Sequence, residues 1–233
     1  MKSVFNTEDW TETLTGESLL LGLLGKMLYT PPGREWMEEL IRGDLFSEPP
    51  FGGDQPLVQQ GLQTLQAWCL ENQNGIPDPA LADLQNDYLR LFIGLEKVLA
   101  PAWESVYFSK DRLIFQEQTL QVRQWYARYG VEIERLHKEP DDHIGLELIF
   151  VAHLAQCAVD HLAQADPAAF EADLTAQRQF LSEHLLRFAP AWYALVEEHA
   201  STDFYRGLGR LIWGALQAAA DLLTVEIPMG AVY

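Results

Sequence analysis

Apolar residues recur along most of the chain at the three- and four-residue spacing of an amphipathic helix. In the first such segment the apolar positions between Leu20 and Leu28 mark one face, and Pro31-Pro32 ends the pattern. Two-residue alternation, which is typical of strands, is almost absent. The pattern therefore predicts an all-α fold, with helices over 14–29, 32–41, 57–74, 78–92, 116–129, 140–163, 167–188, 190–200 and 203–223.

Two segments interrupt the helical rhythm. EPPFGGDQP at 48–56 is rich in glycine and proline and predicts a loop. LEKVLAPAWESVYFSKDRLIF at 95–115 mixes proline, aromatic and β-branched residues without helical periodicity, and it predicts an ordered extended loop.

A charged stretch followed by Pro140 predicts a hinge near residues 132–142. On this interpretation the chain is a single all-α domain, a helical bundle of about ten helices in two lobes. The N-terminal lobe covers about 1–131 and the C-terminal lobe about 143–233. A linker between lobes permits domain swapping, so the sequence is compatible with a monomer or a domain-swapped dimer.

The charge balance narrows the choice of partners. The chain has 34 acidic and 16 basic residues, a net charge of -18, and 48% hydrophobic residues. Such a chain can bury a substantial core, and its negative field repels nucleic acid and anionic membranes while attracting basic ligands. We therefore expect no nucleic-acid partner. Solubility alone is an equally good explanation of the acidity.

The cysteines and the N-terminal sequence indicate a reducing, cytoplasmic location. Cys69 and Cys157 are far apart in the sequence, which excludes a disulfide framework or a cysteine-rich zinc site. The apolar run Leu19–Leu24 follows acidic residues, where a signal peptide needs a basic region. Because no stretch has about 20 uninterrupted apolar residues, we expect no direct membrane insertion.

Familiar catalytic and cofactor motifs are absent from the sequence. GLLGKM at 22–27 lacks the spacing and the Ser or Thr of a phosphate-binding loop, so it predicts a glycine-containing helix packed closely on a neighbour. His143 and Glu147 share a helical face, but a second pair of metal ligands is missing. Glu-x-x-His occurs once, at Glu134–His137. We predict no cofactor and no metal site.

An alternative is a nucleotide- or metal-dependent hydrolase that uses His143 with Asp142 as general base. Ser105 is the nearest nucleophile by type, and nothing in the local sequence activates it. We therefore predict no catalytic residues and a protein that is not an enzyme.

HKEPDDHIGLELIF at 137–150 places unusual charge at the start of a predicted helix. Pro140 suits a first helical turn, and Asp141 and Asp142 suit its positive end, so helix capping explains these three residues. It does not explain His143 or Glu139. Acidic side chains beside an aromatic loop could instead bind a guanidinium group. A peptide with arginines followed by an apolar segment would fit both features.

Four stretches resemble the TorD/DmsD family of redox-enzyme maturation chaperones. EPDDHIGLELIFVAHLA at 139–155 is similar to the family signature E-P-x-D-H-x-G. DYLRLFIG at 87–94, LAPAWESVYFSKDRLIF at 99–115 and DFYRGLGRL at 203–211 match further family motifs in order and spacing. One departure is Pro101-Ala102-Trp103, where the family often has Pro-Pro-Trp.

The resemblance implies a cytoplasmic, all-α chaperone without catalytic activity. It would bind the twin-arginine signal peptide and the apo-form of a molybdenum oxidoreductase before export. Carried over by position, Asp142 and His143 match the hinge residues that bind the signal peptide, Tyr88, Leu91 and Phe92 match the apolar wall, and Glu139, Asp141, Trp103 and Tyr29 complete the predicted site.

For several of these residues a structural role is an equal alternative. Leu91 and Phe92 have the spacing of a buried helix face, and Trp103 could anchor the loop. His143 could hold the two lobes together by a hydrogen bond. A third functional alternative is a helical interaction protein that binds the mature enzyme subunit.

Overall fold

The computed structural model describes residues 6–94, 97–131 and 140–228, and within these residues the fold is all-α. The predicted fold class is confirmed. Helical turns of the wider π type follow α4 and α8, at Leu89–Ile93 and Leu181–Leu185. The α-helices are α1 (Thr7–Tyr29), α2 (Arg34–Arg42), α3 (Pro56–Glu71), α4 (Asp78–Tyr88), α5 (Glu104–Phe108), α6 (Glu117–Arg128), α7 (Ile144–Ala163), α8 (Pro167–Phe180), α9 (Leu186–His199) and α10 (Asp203–Leu223).

Helix α1 begins seven residues earlier than the apolar pattern predicts. The side chain of Asn6 accepts hydrogen bonds from the backbone N–H groups of Glu8 (2.8 Å) and Asp9 (3.0 Å). In return the carboxylate of Asp9 accepts from the N–H of Asn6 (3.1 Å). This capping box satisfies N–H groups that a helix start otherwise leaves unpaired, so polar residues can form the first two turns.

The core is organised around α7 and α10. Helix α1 packs along α7, α7 also packs on α8, and α3 packs along α10. By length and composition α7 could span a membrane, but here it is a core helix of the bundle. The two helices are in tight contact at Gly25 and Gly145, where an added Cβ on Gly25 would lie 2.5 Å from the carbonyl oxygen of Gly145. The predicted close packing of a glycine-containing helix is confirmed.

The predicted helix boundary between 188 and 190 is wrong. Pro190 lies inside α9, and helical structure continues from α8 through the π turn Leu181–Leu185 into α9. A proline inside a helix removes one backbone hydrogen bond and crowds the preceding turn. The wider π turn just before α9 offers a local adjustment of the helix that accommodates it.

The loop predicted at 95–115 is only partly extended, because α5 forms a short helix within it. We call residues 101–105, which lead into and begin this helix, the strap. Residues 132–139 of the hinge predicted at 132–142 lie outside the described residues, and the division into two lobes stays a prediction. In the described residues, the predicted halves contact each other extensively along the α1–α7 and α3–α10 pairs.

Candidate functional site

His143 caps helix α7. Its ring Nδ1 accepts a hydrogen bond from the backbone N–H of Gly145 (3.0 Å), and α7 begins at Ile144. The prediction that this helix starts at Pro140, with Asp141 and Asp142 in its first turn, is therefore wrong. Those residues precede the cap, and their side chains bond to other elements instead.

Asp142 fastens the strap to the start of α7. One carboxylate oxygen accepts from the backbone N–H of Ser105 (2.7 Å), and the other accepts from the hydroxyl of Thr119 on α6 (2.6 Å). Backbone hydrogen bonds on either side of Trp103 and His143 complete an isolated antiparallel bridge. The side chain of Asp142 is fully buried, so in this conformation it positions the strap and does not face solvent.

The ring of His143 lies between two aromatic side chains. Its centroid is 5.2 Å from that of Tyr29, in the last turn of α1, and 5.7 Å from that of Trp103, both in edge-to-face geometry. Tyr29 and Trp103 are half-buried, whereas His143 is only 6% exposed. The two aromatic rings are therefore the accessible part of this contact.

Asp141 points away from these rings toward α6. Its carboxylate bonds to the guanidinium of Arg123, and its backbone carbonyl accepts from the hydroxyl of Tyr126 (3.2 Å). The side chain is fully buried. In this state the negative charge of Asp141 is already matched by a cation of the same chain.

Tyr88, Leu91 and Phe92 are core side chains in this structure, each at most 4% exposed. Phe92 packs edge-to-face on Tyr88 (5.5 Å) and stacks near Trp192 (6.3 Å). The carbonyl of Leu91 accepts from the N–H of Ala100 (2.8 Å), which ties the π turn Leu89–Ile93 to the residue just before the strap. These residues support the strap from behind.

The predicted site residues thus form one connected region with a small accessible part. Tyr29, Trp103, His143 and Asp142 meet directly at the strap. Leu91 contacts the chain next to the strap, while Asp141 and Phe92 extend toward α6 and α9. The predicted residue Glu139 lies outside the described residues.

Two buried acids, Glu104 in the strap and Glu147 in α7, were missed as binding residues by the sequence analysis. Glu104 follows Trp103, and its side chain is joined by a hydrogen bond to Nδ1 of His184 (2.8 Å). Burial raises the pKa of Glu104, and the bond to His184 opposes the rise. Burial, followed by the charges of Glu104 and Asp142, raises the pKa of Glu147 well above its ordinary value. The only sequence signal was a lone glutamate in the apolar run GLELIF.

In the described part of the chain, six of the eleven buried side-chain N and O atoms without a hydrogen-bond partner belong to residues of the strap or of the start of α7 and the chain just before it. Native proteins contain few such atoms, and each calls for an explanation. Three of the residues are carboxylates, which accept hydrogen bonds, and the indole of Trp103 is a donor. We call the set the polar junction: Nε1 of Trp103, Oε1 of Glu104, Oγ of Ser105, Oδ1 of Asp141 and both oxygens of Glu147.

A metal ion is not an evident explanation of the polar junction. Across residues 6–94, 97–131 and 140–228, no group of three or more His, Cys, Asp or Glu side chains converges as metal ligands would. Burial favours the protonated forms of Glu104 and Glu147 in this state, because it raises the pKa of both. A positively charged ligand with several N–H groups, such as a guanidinium, would favour their ionised carboxylates and donate to the unpaired oxygens.

Comparison with known proteins identifies the family. Residues 53–194 match the family model described as nitrate reductase delta subunit. The Tat proofreading chaperone DmsD of Salmonella typhi is 31% identical over 180 residues, which cover 73% of this chain and 81% of that protein. The chaperone protein TorD of Vibrio cholerae serotype O1 (strain El Tor Inaba N16961) is 32% identical over 140 residues, 59% of this chain and 61% of that protein. The chain therefore belongs to the TorD/DmsD family of chaperones, which confirms the predicted resemblance and the prediction of a chaperone rather than an enzyme.

Proposed function

We propose that this protein is a cytoplasmic chaperone that binds the twin-arginine signal peptide of a molybdenum oxidoreductase and assists the maturation of that enzyme before export. The name of the relative DmsD, a Tat proofreading chaperone, supports this function. The location of the binding site is inferred from the polar junction. The hydrolase alternative is not favoured, because the relatives are named chaperones.

The accessible aromatic rings provide the apolar contact in this proposal. Tyr29 and Trp103 present half-buried rings on either side of His143, and the apolar segment of the leader packs on them. Burial of apolar surface contributes about 25 cal/mol per Å², so this contact dominates the affinity. Tyr88, Leu91 and Phe92 act from behind, by holding the strap in place.

The carboxylates of the polar junction provide the contact with arginine. A guanidinium donates up to five hydrogen bonds in a planar fork that matches carboxylate oxygens, whereas a lysine ammonium does not. Each buried acceptor left unpaired costs roughly 1–3 kcal/mol, and a bound guanidinium removes that cost. Because these atoms are buried between the strap and the start of α7, the leader reaches them only when the two separate.

The first test is calorimetric titration with synthetic twin-arginine leaders from the molybdoenzymes of the host. We expect a leader with two lysines in place of the arginines to bind at least about tenfold more weakly, because it loses the bidentate hydrogen bonds. Equal affinities for the two leaders would contradict the proposed role of the carboxylates.

The second test locates the leader-binding site. Asp142→Asn combined with His143→Leu removes the strap's carboxylate anchor and the cap of α7. We expect weaker leader binding, because Tyr29 and Trp103 lose the His143 ring that lies between them and the site loses a carboxylate, with an unchanged helical circular dichroism spectrum. Trp103→Ala should also weaken binding, whereas the matched change Trp36→Ala, at a half-buried tryptophan on α2, should not. Equal effects of the two tryptophan changes would show that the site lies elsewhere.

A further inference from the structure

A second polar cavity lies on the other side of His184 from Glu104. It has a volume of about 640 Å³, which is within the range of cavities that bind small ligands or short peptide segments. It is open to solvent on one side and is bordered by α6, the end of α8, the π turn Leu181–Leu185 and the start of α9. Its lining residues are Gln121, Gln124, Trp125, Arg128, Gln179, Ser182, Glu183, His184 and Arg187.

Two arginines give this cavity a positive wall. The guanidinium of Arg128 lies over the ring of Trp125 at 4.6 Å, and that of Arg187 lies over the ring of Phe108 at 4.4 Å. In the described part of the chain neither guanidinium forms an ion pair, although the protein has about twice as many acidic as basic residues. The guanidinium of Arg187 also donates a hydrogen bond to the backbone carbonyl of Glu183 (3.3 Å). Because an aromatic ring contacts only one face of a guanidinium, the other N–H groups of Arg187 and those of Arg128 can still bind a carboxylate.

The remaining wall favours a peptide over a simple anion. Gln121, Gln124 and Gln179 each carry an amide that both donates and accepts hydrogen bonds, and the hydroxyl of Ser182 does the same. Backbone N–H and C=O groups need both kinds of partner, whereas a phosphate mainly needs donors. The carboxylate of Glu183 also repels a ligand with several closely spaced negative charges.

The π turn shapes this wall. Three consecutive residues, Ser182 to His184, line the cavity, and single π turns inside longer helices are frequent at functional sites. His184 is almost fully buried and bonds to Glu104. The cavity therefore lies directly behind the polar junction, separated from it by this buried pair.

We propose that this cavity is a second client-binding site, in which Arg128 and Arg187 hold the carboxylates of an acidic peptide segment of the client. The inference rests on the proposed chaperone function, because that function supplies a polypeptide client. The leader is basic and this cavity is basic, so the leader binds at the polar junction and the acidic segment binds here. The chaperone thus contacts its client at two places.

The test uses the peptide acetyl-Gly-Asp-Gly-Asp-Gly-amide and its counterpart with both Asp residues replaced by Asn. Binding is followed through the NMR signal of the Trp125 indole N–H, assigned with Trp125→Phe. We expect the Asp peptide to bind at least about tenfold more tightly than the Asn peptide, since hydrogen bonds between charged groups are the stronger ones.

Paired variants then assign the binding to the two arginines. Arg128→Gln with Arg187→Gln should weaken binding of the Asp peptide at least about tenfold. The control Arg42→Gln, at the exposed end of α2, should leave that affinity unchanged. Circular dichroism checks that each variant keeps its helical content.

Three results would overturn the inference. They are equal binding of the Asp and Asn peptides, unchanged affinity in the double variant, and inorganic phosphate that shifts the Trp125 signal with equal or higher affinity than the Asp peptide. Titration of the double variant with a twin-arginine leader separates the two sites, because leader binding should be unchanged. A wild-type protein that binds the Asp peptide but no leader would refute the proposed function and leave this site standing.

Discussion

At the scale of single residues, Glu17 is a buried acid whose protonation links the stability of the fold to pH. It lies within α1, it is fully buried, and neither carboxylate oxygen has a hydrogen-bond partner within the described residues. Burial raises its pKa to about 8, and the neighbouring side chain of Gln177 opposes the rise. The folded protein therefore keeps a proton on Glu17 at neutral pH, whereas the unfolded chain loses it above its ordinary pKa of 4.5.

This difference predicts a loss of stability with rising pH. Below pH 4.5 Glu17 is protonated in both the folded and the unfolded state, so its ionisation does not change the free energy of unfolding. Between pH 4.5 and about 8 only the unfolded state ionises, so the free energy of unfolding falls, by roughly 3–5 kcal/mol in total. Glu17→Gln carries no titrating proton, and its stability should therefore fall less over the same range.

Urea unfolding from pH 5 to pH 9 measures this effect. The control is Glu12→Gln, which removes an exposed carboxylate from the same helix. It also removes one unit of the protein's overall negative charge, so it corrects for general charge repulsion. Parallel pH profiles for the wild type and Glu17→Gln would show that Glu17 is not the titrating group.

At the scale of helices, the packing of α1 on α7 depends on a glycine at their contact. A Cβ added at Gly25 would lie 2.5 Å from the carbonyl oxygen of Gly145 and 2.7 Å from the side chain of Ile149. At Gly22, one turn earlier on the same helix, an added Cβ would meet only Ala152 at an ordinary 3.7 Å. The two glycines therefore provide a matched pair.

Gly25→Ala should destabilise the protein by about 1–3 kcal/mol, because the helices must separate to admit the methyl group. Gly22→Ala should stabilise it by about 0.5–1 kcal/mol, since alanine loses less backbone freedom in a helix. Urea unfolding midpoints for the two variants measure the difference. If both substitutions changed the free energy of unfolding in the same direction, the contact between Gly25 and α7 would not be the tight contact described above.

The helices also show what the sequence could and could not predict. Apolar spacing predicts the helices other than α5, because an amphipathic helix buries one face, although α7 and α10 turn out to be buried on most sides. It misplaces the start of α7 and breaks the helix at Pro190, because a histidine cap and a π turn leave no mark on the apolar pattern. Tyr29, Trp103 and His143 are grouped correctly by family motifs, although they are far apart in the sequence. The partner of Glu104 is His184, 80 residues away, and no local pattern connects them.

At the scale of the whole molecule, the net charge of -18 sets the long-range field. Arginines such as Arg34, Arg123 and Arg210 pair with carboxylates of the same chain, and the acidic residues in excess of the basic ones give the protein its negative field. Such a field accelerates the approach of a cationic leader, and it acts over about 10 Å at 0.1 M salt.

This field predicts that salt acts mainly on the rate of association. Between 20 mM and 500 mM NaCl the association rate constant of a twin-arginine leader should fall by about tenfold or more, since screening removes the long-range attraction. The dissociation rate constant should change less, because apolar contacts with Tyr29 and Trp103 hold the bound leader. Stopped-flow fluorescence with a labelled leader measures both constants.

A leader with glutamines in place of both arginines serves as the control and should show a much weaker salt dependence. A salt effect of equal size for that neutral leader, or one that resides in the dissociation rate, would mean that the acidic surface serves solubility and does not steer the leader.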